Sequence, residues 1–263
     1  ITLGCLCVDD GATRLLIVTA DMAGMSARVC SELYSLLDDA VGITFPHVLL
    51  SCSHTHFAPG LQTADCLPLP GPLGNEPDPR FVEDVKHKLV DAAREAVQAL
   101  QPAMMETAHP RTGALSYNRR WPKSNGSVAM HLQYPLETQR QEDPSLAASS
   151  APVDDMLTIL RFRAISHSGE VAPLIAALIN WGCHPVTGGR GDNGALDYYR
   201  VSADYPHYGR QTISTAWNCP TFFSLGAAGD VVPVQRYGDS RKHIGTALGL
   251  TALLAERAFT TEN

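Results

Sequence analysis

Along the chain, unbroken apolar runs alternate with segments whose apolar residues recur at helical spacing. "TRLLIVTADM" (13–22) is one such run, ending at Asp21, and "HVLLSCS" (47–53) is another; both predict buried strands. "MLTILRFRA" (156–164), "APLIAALINWGC" (172–183) and "TFFSLG" (221–226) predict further strands, and the opening "ITLGCLCVDDG" reads as strand as well. Helical spacing appears over 26–41, with Ser26 as a cap. It appears again after Asp78-Pro79, where Phe81, Val85, Leu89, Ala93 and Val97 form one stripe. Residues 204–217 and 240–259 predict two more helices. Strands that alternate with helices, and that are apolar on both sides, predict an α/β fold. The expected arrangement is a mainly parallel or mixed sheet with helices on both faces, in a single domain over residues 1–263.

The polar positions refine this picture. Asp21, His54 with His56, His184 and Asp230 each follow the end of an apolar run. In α/β sheets ligands bind outside the carboxyl ends of strands, so these residues predict one shared crevice. Asp21 reads equally well as a turn or capping carboxylate. Two long loops, 59–79 (rich in proline) and 186–200 (rich in glycine), have the length of active-site lids. A third, 139–152, is plainly polar and solvated.

Composition removes several classes of function. The net charge is −7 and no lysine/arginine run occurs, so no nucleic-acid partner is expected. No apolar stretch reaches about 18 residues, so no transmembrane segment is expected. No signal peptide is visible, and the start at Ile1 reads as trimmed, which leaves the compartment unassigned. The 7 cysteines are odd in number and contain no CxxC pair, which argues against a disulfide framework or a zinc knuckle and for small core or near-site residues.

The histidines carry the most specific chemistry. His54 and His56 lie two apart, and on an extended segment they would point to one side. Neutral imidazole is a common zinc ligand, and a third strand-end histidine, His184, completes a plausible set with an open position for a water nucleophile. The competing reading is a polar crevice in which the three only form hydrogen bonds. His87 falls in a charged helix; His47, His109, His131, His167 and His243 lack partners at ligand spacing; His207 sits nearer the crevice. "GAAGD" (226–230) is a small-residue turn able to aim amides at an oxyanion, with neither the lysine of a P-loop nor the serine of a nucleophile elbow. "YNRR" (117–120) offers Arg119 and Arg120 for gripping an oxyanion, Arg120 reading equally as a surface charge.

Taken together, "TADMAGM", "SCSHTHFAPG", "YNRR", "VDDMLTILRF", "NWGCHPVT", "VSADYPHYGR" and "LGAAGDVVP" resemble the N-terminal catalytic domain of the neutral/alkaline (non-lysosomal) ceramidase family, in order and across nearly the whole chain. The resemblance implies zinc on His54 and His184, His56 against the substrate and reacting centre, Arg119 lining the pocket, and hydrolysis of an amide by metal-activated water. The chain departs from the family at Val232, which stands where the family has an active-site serine. The resemblance places the family's glutamate and tyrosine ligands, and its later immunoglobulin-like domain, beyond this stretch of sequence. Asp204, ahead of Asp21 and Asp230, is the candidate to complete the metal set.

The expectation is thus a zinc-dependent hydrolase of an amide-bearing small molecule, ceramide being only one candidate. Its metal residues would be His54, His184 and Asp204, and its catalytic residues His56, Arg119 and Asp230. Ala228, Gly229 and Tyr208 would bind substrate. Two rivals stand beside it: a non-catalytic ligand-binding relative, and a cysteine hydrolase using Cys52 or Cys183. The oligomeric state is open, a homo-oligomer included.

Overall fold

The computed structural model describes residues 1–61, 77–131, 141, 143–147, 151–165, 172–188 and 200–262. Most of the two expected lids, and part of the polar loop, lie outside the described residues.

The first half pairs a three-stranded sheet with two helices. Strands β1 (Leu3–Asp9) and β2 (Arg14–Ala20) are antiparallel; β2 and β3 (Val48–Cys52) are parallel. Helix α1 (Ala27–Val41) starts where the Ser26 side chain accepts the Val29 amide and stops where Gly42 takes a left-handed backbone. Helix α2 (Pro79–Gln98) starts at Asp78, with proline in its first turn as the sequence predicts. The stripes of the two helices close on Cys5, Leu16 and Val18 in one core, in which Leu33 and Leu89 are fully buried. Each such leucine contributes roughly 1.5–3 kcal/mol.

The second half is a five-stranded sheet in the order β10-β9-β8-β4-β12, with β4 (Ala103–Ala108), β8 (Leu157–Ala164), β9 (Leu174–Trp181), β10 (Thr221–Leu225) and β12 (Thr260–Glu262). Only β9 and β10 are parallel in it. Helices α3 (Tyr205–Trp217) and α4 (Ser240–Leu254) cover one face, packing Tyr205, Ile213, Ile244 and Leu248 on Ile159, Ile179, Trp181 and Phe223. The helices touch closely at Gly245, where an added Cβ would clash with the Tyr205 carbonyl oxygen. The opposite face carries Phe162, Ala176 and Leu178 and meets Leu6 and Ile17 of the first sheet.

The fold is therefore mixed α/β, and the mainly parallel alternative does not hold. The helix expected to Phe259 ends at Leu254; a short 3-10 turn (Glu256–Ala258) then redirects the chain into β12. Four short strands complete the described part: β5 (Ser116–Asn118) pairs with β11 (Val231–Pro233), and β6 (Arg120–Pro122) with β7 (Val128–Met130). Among the described residues no helix is long and apolar enough to cross a membrane.

Candidate metal centre

The parallel pairs β2/β3 and β9/β10 direct their carboxyl ends to where the chemistry-bearing residues follow. His54 and His56 come after β3, and His184 comes after β9. One potential ligand atom from each lies within 4.8 Å of the others. The ring centroids are 5.0 Å apart for His54–His56, 5.0 Å for His54–His184 and 5.6 Å for His56–His184.

The pair converges by a route different from the expected one. β3 stops at Cys52, and His54 has a left-handed φ of 62°. That conformation is costly for a residue with a Cβ and persists only where the surroundings impose it. Here the Ser53 and His54 amides donate to the carbonyls of Ala20 and Met22 at 2.8 and 2.9 Å, clamping the segment along the end of β2. The buried Thr55 hydroxyl donates to the Ser202 carbonyl at 2.8 Å, and the His56 amide to the Pro185 carbonyl at 3.3 Å. A turn, then, rather than an extended segment, brings both rings together.

Backbone carbonyls orient two of the rings. His54 Nδ1 lies 2.5 Å from the Ala23 carbonyl oxygen, and His184 Nδ1 lies 2.5 Å from that of Ala228. A ring that donates from Nδ1 offers Nε2 as its lone-pair nitrogen, the arrangement in which imidazole binds a metal. The His184 amide also donates to the Val231 carbonyl at 2.9 Å, so the turn after β10 holds this residue by side chain and main chain. Close approach of the two strand ends requires small residues: a Cβ on Gly226 would lie 3.1 Å from the Gly182 nitrogen.

The same turn holds Arg119. Its guanidinium donates to the Gly229 carbonyl at 2.6 Å, and its amide to the Asp230 carbonyl at 2.7 Å. The described contacts of this turn to His184 and Arg119 are made by the carbonyls of Ala228, Gly229 and Asp230. The Asp230 carboxylate accepts from Asn118 Nδ2 at 2.8 Å. Asn118, buried at the end of β5, was passed over in the sequence although "YNRR" contains it. Its side chain also donates to the Pro152 carbonyl and accepts the Arg120 amide, so it joins Asp230 to the bend between β5 and β6 that carries Arg119.

The electrostatics of the cluster are cationic. Loss of water around the His56 ring, then His54, His184, Arg119 and Arg236, push its pKa down to about 4. Burial is the main cause of a lower pKa at His184 too, opposed by its bond to the Ala228 carbonyl and reinforced by His54 and Arg119. Arg236 was not singled out in the sequence; no motif marks it.

Other expected members fall elsewhere. Asp204 is not part of the histidine group. It is the N-cap of α3, with φ 59°; its oxygens accept the Thr187 amide and hydroxyl and the Tyr205 amide, at 2.9, 2.5 and 2.5 Å. A carboxylate so engaged caps α3 and ties it to Thr187. Burial still raises its pKa despite those donors. Tyr208 packs its Cβ against Gly245 of α4, and none of its described contacts reaches the histidines. Asp21 forms a buried two-pronged ion pair with Arg210, at 3.1 and 2.6 Å, and accepts from Thr2. Val232 is fully buried against Tyr117, Trp121 and Val186, so it faces packing and not a ligand. Burial raises the Cys52 thiol to about 12 and the Cys183 thiol well above its ordinary value, which removes the thiolate a cysteine hydrolase needs.

No family model and no curated protein matches the sequence. Solved structures do match. The crystal structure of neutral ceramidase from Pseudomonas aeruginosa aligns with a TM-score of 0.62 at 17% identity, covering 93% of this chain and 37% of that one. A ceramidase complexed with C2 aligns with a TM-score of 0.64 at 18% identity, covering 94% and 37%. The chain therefore has a ceramidase-like fold and spans somewhat over a third of the length of these neighbours.

Proposed function

We propose that this chain forms the metal-binding part of a hydrolase that cleaves the amide bond of an N-acyl compound. The observation that carries the reading is the histidine group: three imidazoles each bring a potential ligand atom within 4.8 Å of the others, and carbonyls fix the outer nitrogen of two of them. That donor set suits zinc, since neutral imidazoles with fixed tautomers are its usual nitrogen ligands. His54 and His184 would hold the ion with His56, and zinc would supply Lewis acidity toward the oxygen of water or the acyl carbonyl.

The chain's own residues account for the remaining work. In hydrolysis, water oxygen bonds to the acyl carbon, the C–N bond breaks, and the amine departs with a proton. Arg119, held by the Gly229 carbonyl beside the histidines, is suited to face the negative charge that gathers on the acyl oxygen. Asn118 and Asp230 keep the turn and β5 in register, so Asp230 serves as a positioning residue rather than an acid. Ala228 orients His184, and Gly229 orients Arg119. The resemblance in motifs and the ceramidase-like fold support amide chemistry; Val232, buried where the family has serine, weighs against ceramide as the substrate.

The test is elemental analysis of the purified chain beside His54→Ala and His184→Ala. About one zinc per chain, lost in both variants, is expected, with hydrolysis of N-acyl substrates abolished by chelation and restored by zinc. No zinc in the parent protein would overturn the reading. Ligand binding that survives chelation, without turnover, would favour a non-catalytic binding protein, the reading for which Val232 speaks.

A further inference from the structure

The candidate ligands come from both halves of the fold: His54 and His56 follow β3, and His184 follows β9. A metal centre assembled in this way needs its ligands held to about 0.5 Å, which neither sheet alone supplies. The residues that open α3 touch both sides. The Ser202 amide donates to the Phe57 carbonyl at 2.7 Å, and the Ser202 carbonyl accepts from the Thr55 hydroxyl at 2.8 Å. Ser202 Oγ in turn accepts the Asp204 amide at 3.0 Å. On the other side, the Tyr205 hydroxyl donates to the Cys183 carbonyl at 2.5 Å, and the Asp204 carboxylate accepts from Thr187. The run 202–205 therefore grips the chain around His54 and His56 at one end and around His184 at the other.

The two hydroxyls at the ends of this link do more than fill space. Thr55 and Tyr205 are fully buried, and each acts next to an imidazole: Thr55 lies between His54 and His56, and Cys183 precedes His184. Valine and phenylalanine would occupy the same spaces without a polar atom, and a buried hydroxyl gains little net stability from its bond. What the hydroxyls add is direction. Backbone strain marks the same junction. Four described residues other than glycine have a positive φ, and two of them, His54 at 62° and Asp204 at 59°, sit here. Such conformations persist only where the surroundings over-determine them.

We propose that Thr55 and Tyr205 are positioning residues of the metal centre, which fix the His54–His56 turn relative to His184 through the entry of α3. The proposal rests on the metal-binding reading of the histidines. The link runs in series, from Thr55 to Ser202, along the chain to Tyr205, and from Tyr205 to Cys183. Breaking either end releases the same constraint, so the two bonds act as one. The effect falls on metal affinity and geometry rather than on the number of ions bound, because neither hydroxyl belongs to the histidine group.

The experiment measures zinc affinity by competition with a chromophoric chelator. It compares the parent chain with Thr55→Val, Thr55→Ser, Tyr205→Phe and the double variant Thr55→Val, Tyr205→Phe. Visible spectra of the cobalt-loaded proteins report coordination geometry, and melting temperatures of the metal-free proteins report folding. Thr55→Val and Tyr205→Phe should each bind zinc about tenfold more weakly, the scale for outer partners of metal ligands, with an altered cobalt spectrum. The double variant should lose little more than either single one. Thr55→Ser, which keeps the hydroxyl, should retain the parent affinity and spectrum. Tyr205→Phe decides alone if Thr55→Val fails to fold. Variants that melt lower but keep the parent affinity and spectrum would overturn the proposal, since the hydroxyls would then serve stability only. Losses that multiply in the double variant, or a Thr55→Ser chain as weak as Thr55→Val, would overturn it too. A parent chain that binds no zinc would overturn the metal reading as well, whereas the other adverse results leave that reading standing.

Discussion

At the scale of single residues, the site depends on backbone conformations that the sequence does not advertise. The identity of the zinc candidates was legible, because few residue types can bind a metal and the pairing of His54 and His56 is unusual. The left-handed turn at His54 was not, since periodicity reports faces of regular elements and is silent at a reversal. Asp204 shows what sequence leaves unseen. A carboxylate in "VSADYPHYGR" reads as a candidate to complete the metal set, and only three dimensions reveal that it accepts from Thr187 and Tyr205. Substituting it separates the roles. Asp204→Asn should lower stability by about 1–3 kcal/mol, the range for a lost cap and an unmatched buried donor. Zinc stoichiometry should stay that of the parent protein. Urea denaturation and elemental analysis of one preparation would check both, and a variant that folds but loses zinc would return Asp204 to the ligand set.

At the scale of elements, long apolar runs identified β2, β3, β8, β9 and β10; helical spacing identified α1, α2 and α4, and 204–217 reads as helix too. The three-residue strands β5, β6, β7 and β11 are too short to show any period, and β4 and β12 were missed with them. Strand direction was also hidden, because apolar content reports burial and not the direction of a neighbour: β9, LIAALINW, is antiparallel to β8 and parallel to β10. Long-range polar pairing was equally invisible: Asp21 and Arg210 are separated by 189 positions, and Asp21 reads alone as a crevice or turn carboxylate. Their ion pair ties the end of β2 to α3 with the Asp21 side chain fully buried and that of Arg210 nearly so. Removing one partner leaves the other charge buried and unmatched. Asp21→Asn should therefore cost about 3–5 kcal/mol, while the double variant Asp21→Asn, Arg210→Met should recover much of the loss. Denaturant midpoints of the two variants would test this, and a double variant worse than the single would show that the pair is net stabilising.

At the scale of the whole molecule, the histidine group straddles the two halves. The first half supplies His54 and His56; the second supplies His184 and the turn that orients it. Polar contacts link the two, among them the Asp21–Arg210 ion pair, the Thr55 hydroxyl on the Ser202 carbonyl, and the Ser51 and Ser224 hydroxyls 3.0 Å apart. A cavity of about 670 Å³ between the halves, lined by Leu6, Val8, Phe162, Ile175 and Phe222, lies at the amino ends of β9 and β10, away from the histidines. The geometry of the centre thus relies on the integrity of each sheet. The outer edge of the five-stranded sheet is knotted by Arg161, whose guanidinium donates to Glu106 at 2.5 Å and to Glu256 at 2.6 Å and lies 3.6 Å from the Phe259 ring centre. Burial raises the Glu106 carboxyl, but hydrogen bonds from Arg163 and Arg161 outweigh it and hold the group below its ordinary value. The folded protein therefore binds the Glu106 proton less readily than the unfolded chain does. The stability this contributes is fully present above the unfolded pKa of about 4.3 and is lost as pH falls through the lower folded value. Glu106→Gln should be less stable than the parent protein at neutral pH, with the gap closing as the solution is acidified below about pH 4. Melting temperatures across pH 3–7 would measure the two curves. A gap that stays constant over that range would mean that Glu106 contributes through packing rather than charge.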